Sequence, residues 1–586
     1  MATRLKETDV VILGVGLVGS ILGRELTKAG LEVVGLERGE PRYTVPDFQG
    51  PAMHDELRYS IRKQLMMDAA KETYTFRNSH EQTALPIRRI QSFLPGMGLG
   101  GSAVHWNGQT WRFHEADLRM RTHANERYGK DFLGPEYSFQ DWGVSYADLE
   151  PHYDRFEYLL GIAGKAGNVQ GKKVAGGNVL EESRAREYPT GPQKEPYGSA
   201  IFRKAAEGLG YHPFPGPSAN MSEPYTNPEG VSLATCMFCG YCERYGCEHF
   251  AKSSPQTVVL PVLLKDGRFK LRTHCQVQRI NVSGNSASGV IYIDGQGREF
   301  EQPAKLVIVG LFALNNVRML LLSKIGQPYD PQSAKGVVGR NYTYQTTSGV
   351  NVFFDESVNI NPFMRSGACG TVIADFVADN FDHAKLGFLG GAYIGEVMSH
   401  GRPIELRPTP PGTPQWGSEW KRAVARHYNH TSVVNVHGSS IAVRGNYLDL
   451  DPTYKDAWGQ PLLRMTFDFP ENDIKMSEFC TARATDIAKA MGGKQVAGAP
   501  RRGPYTVTQY QSTHNTGGTV MGSDRSTSVL NRYCQSWDVP NVFVIGASNF
   551  PQNASYNPTG TVGALAYWTA QAIVDRYLKS PGPLVT

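Results

Sequence analysis

The sequence predicts an α/β protein in which a parallel-sheet nucleotide-binding domain is joined to an α+β domain built on a mostly antiparallel sheet. Three observations carry this. A strand, a glycine turn, a helix and a second strand follow one another near the start of the chain. Residues 341–507 alternate β-rich pieces with proline-rich loops such as 407–414, and the C-terminal stretch returns to strand, loop and helix. At 586 residues the chain is also long enough for roughly two to four packed units.

Taken in order, residues 9–13 form an apolar run of the kind buried in parallel sheets, 14–19 a tight turn, 20–29 a helix and 32–36 the second strand. Residues near 41–95 lose this order apart from helical periodicity around 55–67, and 96–101 make a second glycine turn. From about 136 to 224 the chain is polar and rich in Pro and Gly, which predicts an excursion over the surface, a cap or insertion. Strand signals return at 269–272, 277–282, 289–293 and 305–310, the last feeding a helix over 315–322. The expected division assigns 1–45, 88–135, 225–340 and 508–586 to the nucleotide-binding domain. Residues 136–224 and 341–507 then form the substrate domain, and 46–87 a connecting excursion.

Composition excludes several classes. Hydrophobic residues at 40% and charged residues at 20% are too apolar a mixture for a disordered chain. Lys+Arg 60 against Asp+Glu 55 leaves a net charge of +5 without a basic tract, so nucleic acid is not an expected partner. The early apolar stretch 10–23 is shorter than the roughly 20 residues that span a bilayer. Residues 1–9 mix charge signs and no small-residue cleavage site follows, so no signal peptide is expected and export would depend on a partner. The 63 glycines exceed the usual share of about 7% and fit close backbone approach to a bulky ligand.

Gly14-x-Gly16-x-x-Gly19 follows a strand, opens a helix and is trailed by Glu37 at the end of the next strand. In that context the glycines admit a pyrophosphate to a helix N-terminus and the carboxylate accepts from an adenosine ribose. The motif leaves FAD and NAD both open. A second glycine turn runs Gly98-Leu99-Gly100-Gly101-Ser102 and continues through His105-Trp106-Asn107-Gly108. Four of the eight cysteines, Cys236, Cys239, Cys242 and Cys247, stand in C-x2-C-x2-C-x4-C spacing, one residue longer than the bacterial ferredoxin run. That spacing points to a metal site, an iron–sulfur cluster ahead of zinc, with disulfides as a further alternative.

The Leu-Gly-Gly-Ser turn resembles the flavin-binding region of the glucose-methanol-choline (GMC) oxidoreductases, which selects FAD, and a Rossmann-like FAD-binding domain of that type. The Gly-Gly-x-x-x-His-Trp arrangement is similar to the subset in which the histidine is bonded covalently to flavin, which makes His105 the candidate attachment point. His514-Asn515-Thr516-Gly517-Gly518-Thr519-Val520-Met521-Gly522 resembles the family's catalytic His segment, with its Gly-Thr pair one residue late, and Asn557 stands where the family places its second active-site residue. By the resemblance His514 is the base that takes the alcohol proton and Asn557 orients the hydroxyl. It also implies cofactor contacts at Gly100, Gly101, Ser102, Asn107, Val277, Gly546 and Ala547, although Gly546 stands where members often carry Asp.

With the cysteine run, the chain resembles a narrower group, the flavoprotein subunits of membrane-bound, gluconate 2-dehydrogenase-like sugar and sugar-acid dehydrogenases. The resemblance implies oxidation of a secondary alcohol such as C2 of D-gluconate to 2-keto-D-gluconate. Electrons pass to a [3Fe-4S] cluster, with [4Fe-4S] the alternative, and on to a haem c cytochrome subunit and quinone. A small companion subunit carries the export signal to the periplasmic face of the bacterial inner membrane, and membrane contact comes only through partners. The rival readings are the same chemistry on sorbitol, 2-ketogluconate, fructose or another polyol, and a non-catalytic electron-relay flavoprotein.

Overall fold

The computed structural model describes residues 2–48, 65–88, 95–397, 401, 408–507 and 513–585. The helical periodicity around 55–67 lies outside them up to residue 64, as do Arg407 and Ser512.

The strand Thr8–Leu13 lies inside a parallel sheet, flanked by Val33–Leu36 and by the second half of Glu299–Val309, with Phe269–Arg272 and Val542–Val544 outside these. Val10, Val11, Ile12 and Leu13 are all essentially inaccessible, since a parallel strand is covered on both faces. Burying each such side chain is worth roughly 1.5–3 kcal/mol. The strand read at 305–310 is longer than its apolar run because its first half turns to a second task. Residues 299–303 pair antiparallel with Ser286–Ile293, which in turn pairs with Gln276–Ser283. The first helix, Leu17–Lys28, begins earlier than periodicity suggested because Gly16 is its N-cap in extended backbone.

A six-stranded antiparallel sheet forms the second body, in the order Gln495–Ala499, Thr346–Phe353, Thr431–Gly438, Ala392–Glu396, Thr371–Ile373, Phe214–Pro215. The helices Glu471–Ala490 and Tyr197–Gly208 cover one face, where Val350, Val352, Val434 and Val436 pack with Met476, Cys480 and Ile487. Side chains alternate across a strand, so Val433, Asn435 and His437 turn to the opposite face and line a cavity.

The surface excursion expected over 136–224 is corrected by the helix Tyr146–Leu160, whose Leu149, Phe156 and Leu160 are fully buried. It packs against the last helix, Thr559–Ala572. Its polar composition hides an i, i+4, i+7, i+11 apolar stripe through Leu149, Tyr153, Phe156 and Leu160. Residues 75–77, within the expected connecting excursion, extend the sheet of Tyr447–Lys455 and Pro461–Thr466.

Candidate active site

A cavity of about 570 Å³ lies between the parallel and antiparallel sheets, and both glycine turns and two C-terminal loops reach its wall. Of the cofactor residues expected from sequence, Gly14, Gly16, Glu37, Gly101, Ser102, Asn107, Val277, Gly546 and Ala547 line it, whereas Gly19, Gly100 and His105 do not.

The glycines have separable jobs. A Cβ on Gly19 would stand 2.0 Å from the Gly14 carbonyl oxygen, so the third glycine lets the helix sit on the turn. Gly16 has nothing nearer than the Gly101 Cα at 3.8 Å, leaving its surface to the cavity. The two turns are joined where Gly100 N donates to Val15 O at 2.8 Å. Glu37 is buried and accepts from the amides of Val15 (3.1 Å), Gly39 (3.0 Å) and Gly98 (3.3 Å). Burial pushes its carboxyl above the usual range while those amides act the other way. At Gly546, where the resemblance led one to expect Asp, Asn316 fills the neighbouring space, its Nδ2 bonding Ile545 O at 3.2 Å and Ser548 Oγ at 3.0 Å.

His514 and Asn557, 43 residues apart, meet at 2.6 Å between Asn557 Nδ2 and His514 Nε2. The amide's orientation is fixed because its Oδ1 accepts from Trp111 Nε1 and Tyr393 OH, each at 3.1 Å. Nδ2 must then donate, and His514 Nε2 is an acceptor with the ring proton on Nδ1. His514 holds a φ of +73°, a left-handed backbone seldom adopted by non-glycine residues, with its carbonyl taken by Asn553 Nδ2 at 3.0 Å. Burial first, then the neighbouring His437, lowers its pKa to about 3. Held neutral, its Nε2 lone pair is open to a hydroxyl proton, and the acid limb of kcat/KM is expected near pH 3, well below 6.5. A pH profile of substrate-dependent reduction checks this, and a limb near 6.5 would mean that His514 is solvated.

Sequence reasoning missed Gln109, Trp111, Tyr393 and His437. Tyr393 pairs across strands with His437, the rings stacked at 4.9 Å and 5°, and His437 stands edge-on to His514 at 5.9 Å. Gln109 Oε1 shares the Tyr393 OH and Trp111 Nε1 protons with Asn557, standing 2.6 Å from the former and 3.3 Å from the latter. The two-residue alternation of 431–438 was the available signal for His437.

His105 is fully buried, behind the wall formed by Trp106 and Asn107. Burial, then the nearby Lys252, lowers its pKa to about 3. The cysteine loop packs against this segment, with Arg244 N donating to His105 O at 2.6 Å, and its Glu243 lines the cavity. None of the eight cysteines is disulfide-bonded. Burial pushes Cys236 up to about 12, with Cys247 and Cys239 adding to the rise, and moves Cys242 and Cys239 the same way. Among the described residues no three His, Cys, Asp or Glu side chains converge as ligands of a single metal ion.

The glycine turn of the parallel sheet and the His–Asn pair beside the antiparallel sheet thus face one cavity. Two family models, both described as GMC oxidoreductase, match residues 138–347 and 443–566. The gluconate 2-dehydrogenase flavoprotein of Pantoea cypripedii is 48% identical, over 100% of this chain and 96% of that one. The 2-methyl-1,2-propanediol dehydrogenase of Mycolicibacterium austroafricanum is 27% identical, over 98% and 97%. Pyridoxine 4-oxidase from Mesorbium loti shares the fold, with a TM-score of 0.58 at 15% identity over 96% of this chain and 99% of that one. The chain belongs to the GMC oxidoreductase family, and it is an FAD-dependent enzyme that oxidises alcohols.

Proposed function

We propose that the protein oxidises a secondary alcohol of a sugar acid, converting D-gluconate to 2-keto-D-gluconate. Electrons then leave singly through an iron–sulfur cluster held by Cys236, Cys239, Cys242 and Cys247 to a haem c subunit. The observation that carries this reading is a single cavity shared by the glycine turns, the His514–Asn557 pair and Glu243 of the cysteine loop. The choice of sugar acid is supported by the name of the 48% identical relative.

The cavity fits FAD: glycines stand where the backbone must approach a pyrophosphate, and the Glu37 carboxylate is placed for a ribose. When bound, FAD supplies the acceptor for the hydride leaving the carbinol carbon. The rest falls to the chain. His514 Nε2 takes the hydroxyl proton, Asn557 Nδ2 turns its hydrogen bond to the substrate oxygen, and Trp111 and Tyr393 keep the amide from flipping. His105, the candidate covalent anchor, lies behind the cavity wall rather than in it, so no covalent link to it is part of the proposal. A relay protein needs neither a base nor an orienting amide, which disfavours the non-catalytic reading.

A cluster is wider than a single ion and sets its thiolates apart by its own width, so the fit asks for several reduced thiols around one partly buried spot. Cys236, Cys239, Cys242 and Cys247 lie on one loop and none is disulfide-bonded, which supports the reading. Delivery to the periplasmic face by a companion subunit completes the proposal.

D-gluconate is expected to bleach the flavin anaerobically, ahead of sorbitol, fructose and 2-ketogluconate in the same panel. An unresponsive flavin would remove the substrate assignment. Purified protein is expected to contain iron and acid-labile sulfide, and the joint Cys239→Ser, Cys242→Ser variant, left with fewer than three of the four thiols, to lose both while still binding FAD; elemental analysis beside the flavin spectrum reads this directly.

A further inference from the structure

His437 borders the cavity from the antiparallel sheet, two residues along its strand from Asn435, which faces the same way. Its ring lies flat on that of Tyr393 at 4.9 Å and 5°, and Tyr393 OH stands 3.1 Å from Asn557 Oδ1. The imidazole is thereby held in one plane with respect to the catalytic pair, edge-on to His514 at 5.9 Å.

Hydrogen bonding decides which nitrogen of this ring is left for a ligand. Gln345 Nε2 donates to the Ser555 carbonyl at 3.2 Å, so Gln345 Oε1 is an acceptor. It stands 3.5 Å from His437 Nδ1, which places the ring proton on Nδ1 and the lone pair on Nε2. The ring is neutral, because burial lowers its pKa to about 4. Nε2 takes no hydrogen bond from the described residues and is not sealed off from the cavity. Asn435 repeats the arrangement: its Nδ2 donates to the carbonyls of Val397 (3.3 Å) and Val433 (3.4 Å), which leaves Oδ1 as its acceptor at the cavity.

A wall of acceptors selects ligands that bring protons. His514 Nε2 engages the hydroxyl being oxidised, and His437 Nε2, on a ring 5.9 Å away, is within reach of a hydroxyl on the neighbouring carbon. A carbonyl, an ether or a carboxylate in that place would set lone pairs against lone pairs. Glu243, which acts on the same ring, adds a further carboxyl to the lining.

We propose that His437 is a specificity residue that accepts a hydrogen bond from the hydroxyl next to the oxidised one, so that the enzyme takes vicinal diols in preference to isolated alcohols. The proposal rests on alcohol oxidation with His514 as the base, and it deepens the sugar-acid reading. In D-gluconate the hydroxyl concerned is that on C3, since the carboxylate on the other side of C2 brings no proton.

The kcat/KM values of the purified enzyme for D-gluconate and 3-deoxy-D-gluconate, measured with an artificial electron acceptor, test this. The wild-type enzyme is expected to prefer gluconate roughly 10- to 100-fold, the range for leaving one buried acceptor unpaired. The difference should be carried by KM more than by kcat, as for a contact made equally in ground and transition states. His437→Phe keeps the stack on Tyr393 and loses the acceptor, and is expected to bring the ratio close to one. Should that variant fail to fold, His437→Ala, whose lost volume opens into the cavity, is read in the same way. Equal kcat/KM for the two compounds in the wild type overturns the proposal, and so does a variant that keeps the wild-type preference. Gluconate that leaves the flavin oxidised while sorbitol or fructose bleaches it strikes the sugar-acid reading alone. The same comparison, made with that substrate and its analogue lacking the adjacent hydroxyl, then decides the role of His437.

Discussion

Replacing His514 with alanine is expected to slow reduction of the flavin by alcohol roughly 10²- to 10⁴-fold, the range for loss of a positioned general base, with FAD content unchanged. The side chain already borders an open cavity, so its removal opens little new buried space and the fold is retained. Anaerobic stopped-flow bleaching gives the rate, and bleaching at the wild-type rate would strip His514 of its role. Asn557→Asp is a companion test with a different signature. One carboxylate oxygen keeps the Trp111 and Tyr393 donors, while the other faces His514 Nε2 and draws a proton onto it. The imidazole pKa rises from about 3, so activity lost at neutral pH should return as pH increases.

Gly19→Ala is expected to destabilise the protein by roughly 3 kcal/mol or more, the upper end of overpacking costs, and to abolish FAD retention. The obstacle is a backbone carbonyl at 2.0 Å, which cannot swing aside as a side chain does. Gly16→Ala separates packing from binding. Its Cβ meets nothing nearer than 3.8 Å, so the denaturation midpoint should stay near wild type while FAD affinity falls, because the new methyl group faces the cavity. Equal denaturation midpoints for the two variants would contradict these separate roles.

The first βαβ unit, the glycine turns and Glu37 were legible in the sequence because local spacing dictates them. A strand that feeds a helix through glycines has few other uses, and Glu37 follows at the end of the paired strand. The family was likewise legible from short motifs at the two ends of the chain. The helix at 146–160 was not, since its apolar stripe is thin and its remaining residues polar.

His514 and Asn557 could be named from sequence, but which of them donates could not. That depended on Trp111 and Tyr393, which come from two other regions and share the amide oxygen. Nor could spacing place His105 behind the wall or His437 beside the catalytic pair. Each follows from which residues a sheet face or a buried turn brings together over long separations. Sequence determined the local conformations and the chemical groups available; tertiary packing decided their protonation, their orientation and their neighbours, because desolvation and hydrogen-bond geometry exist only once distant segments have closed on one another.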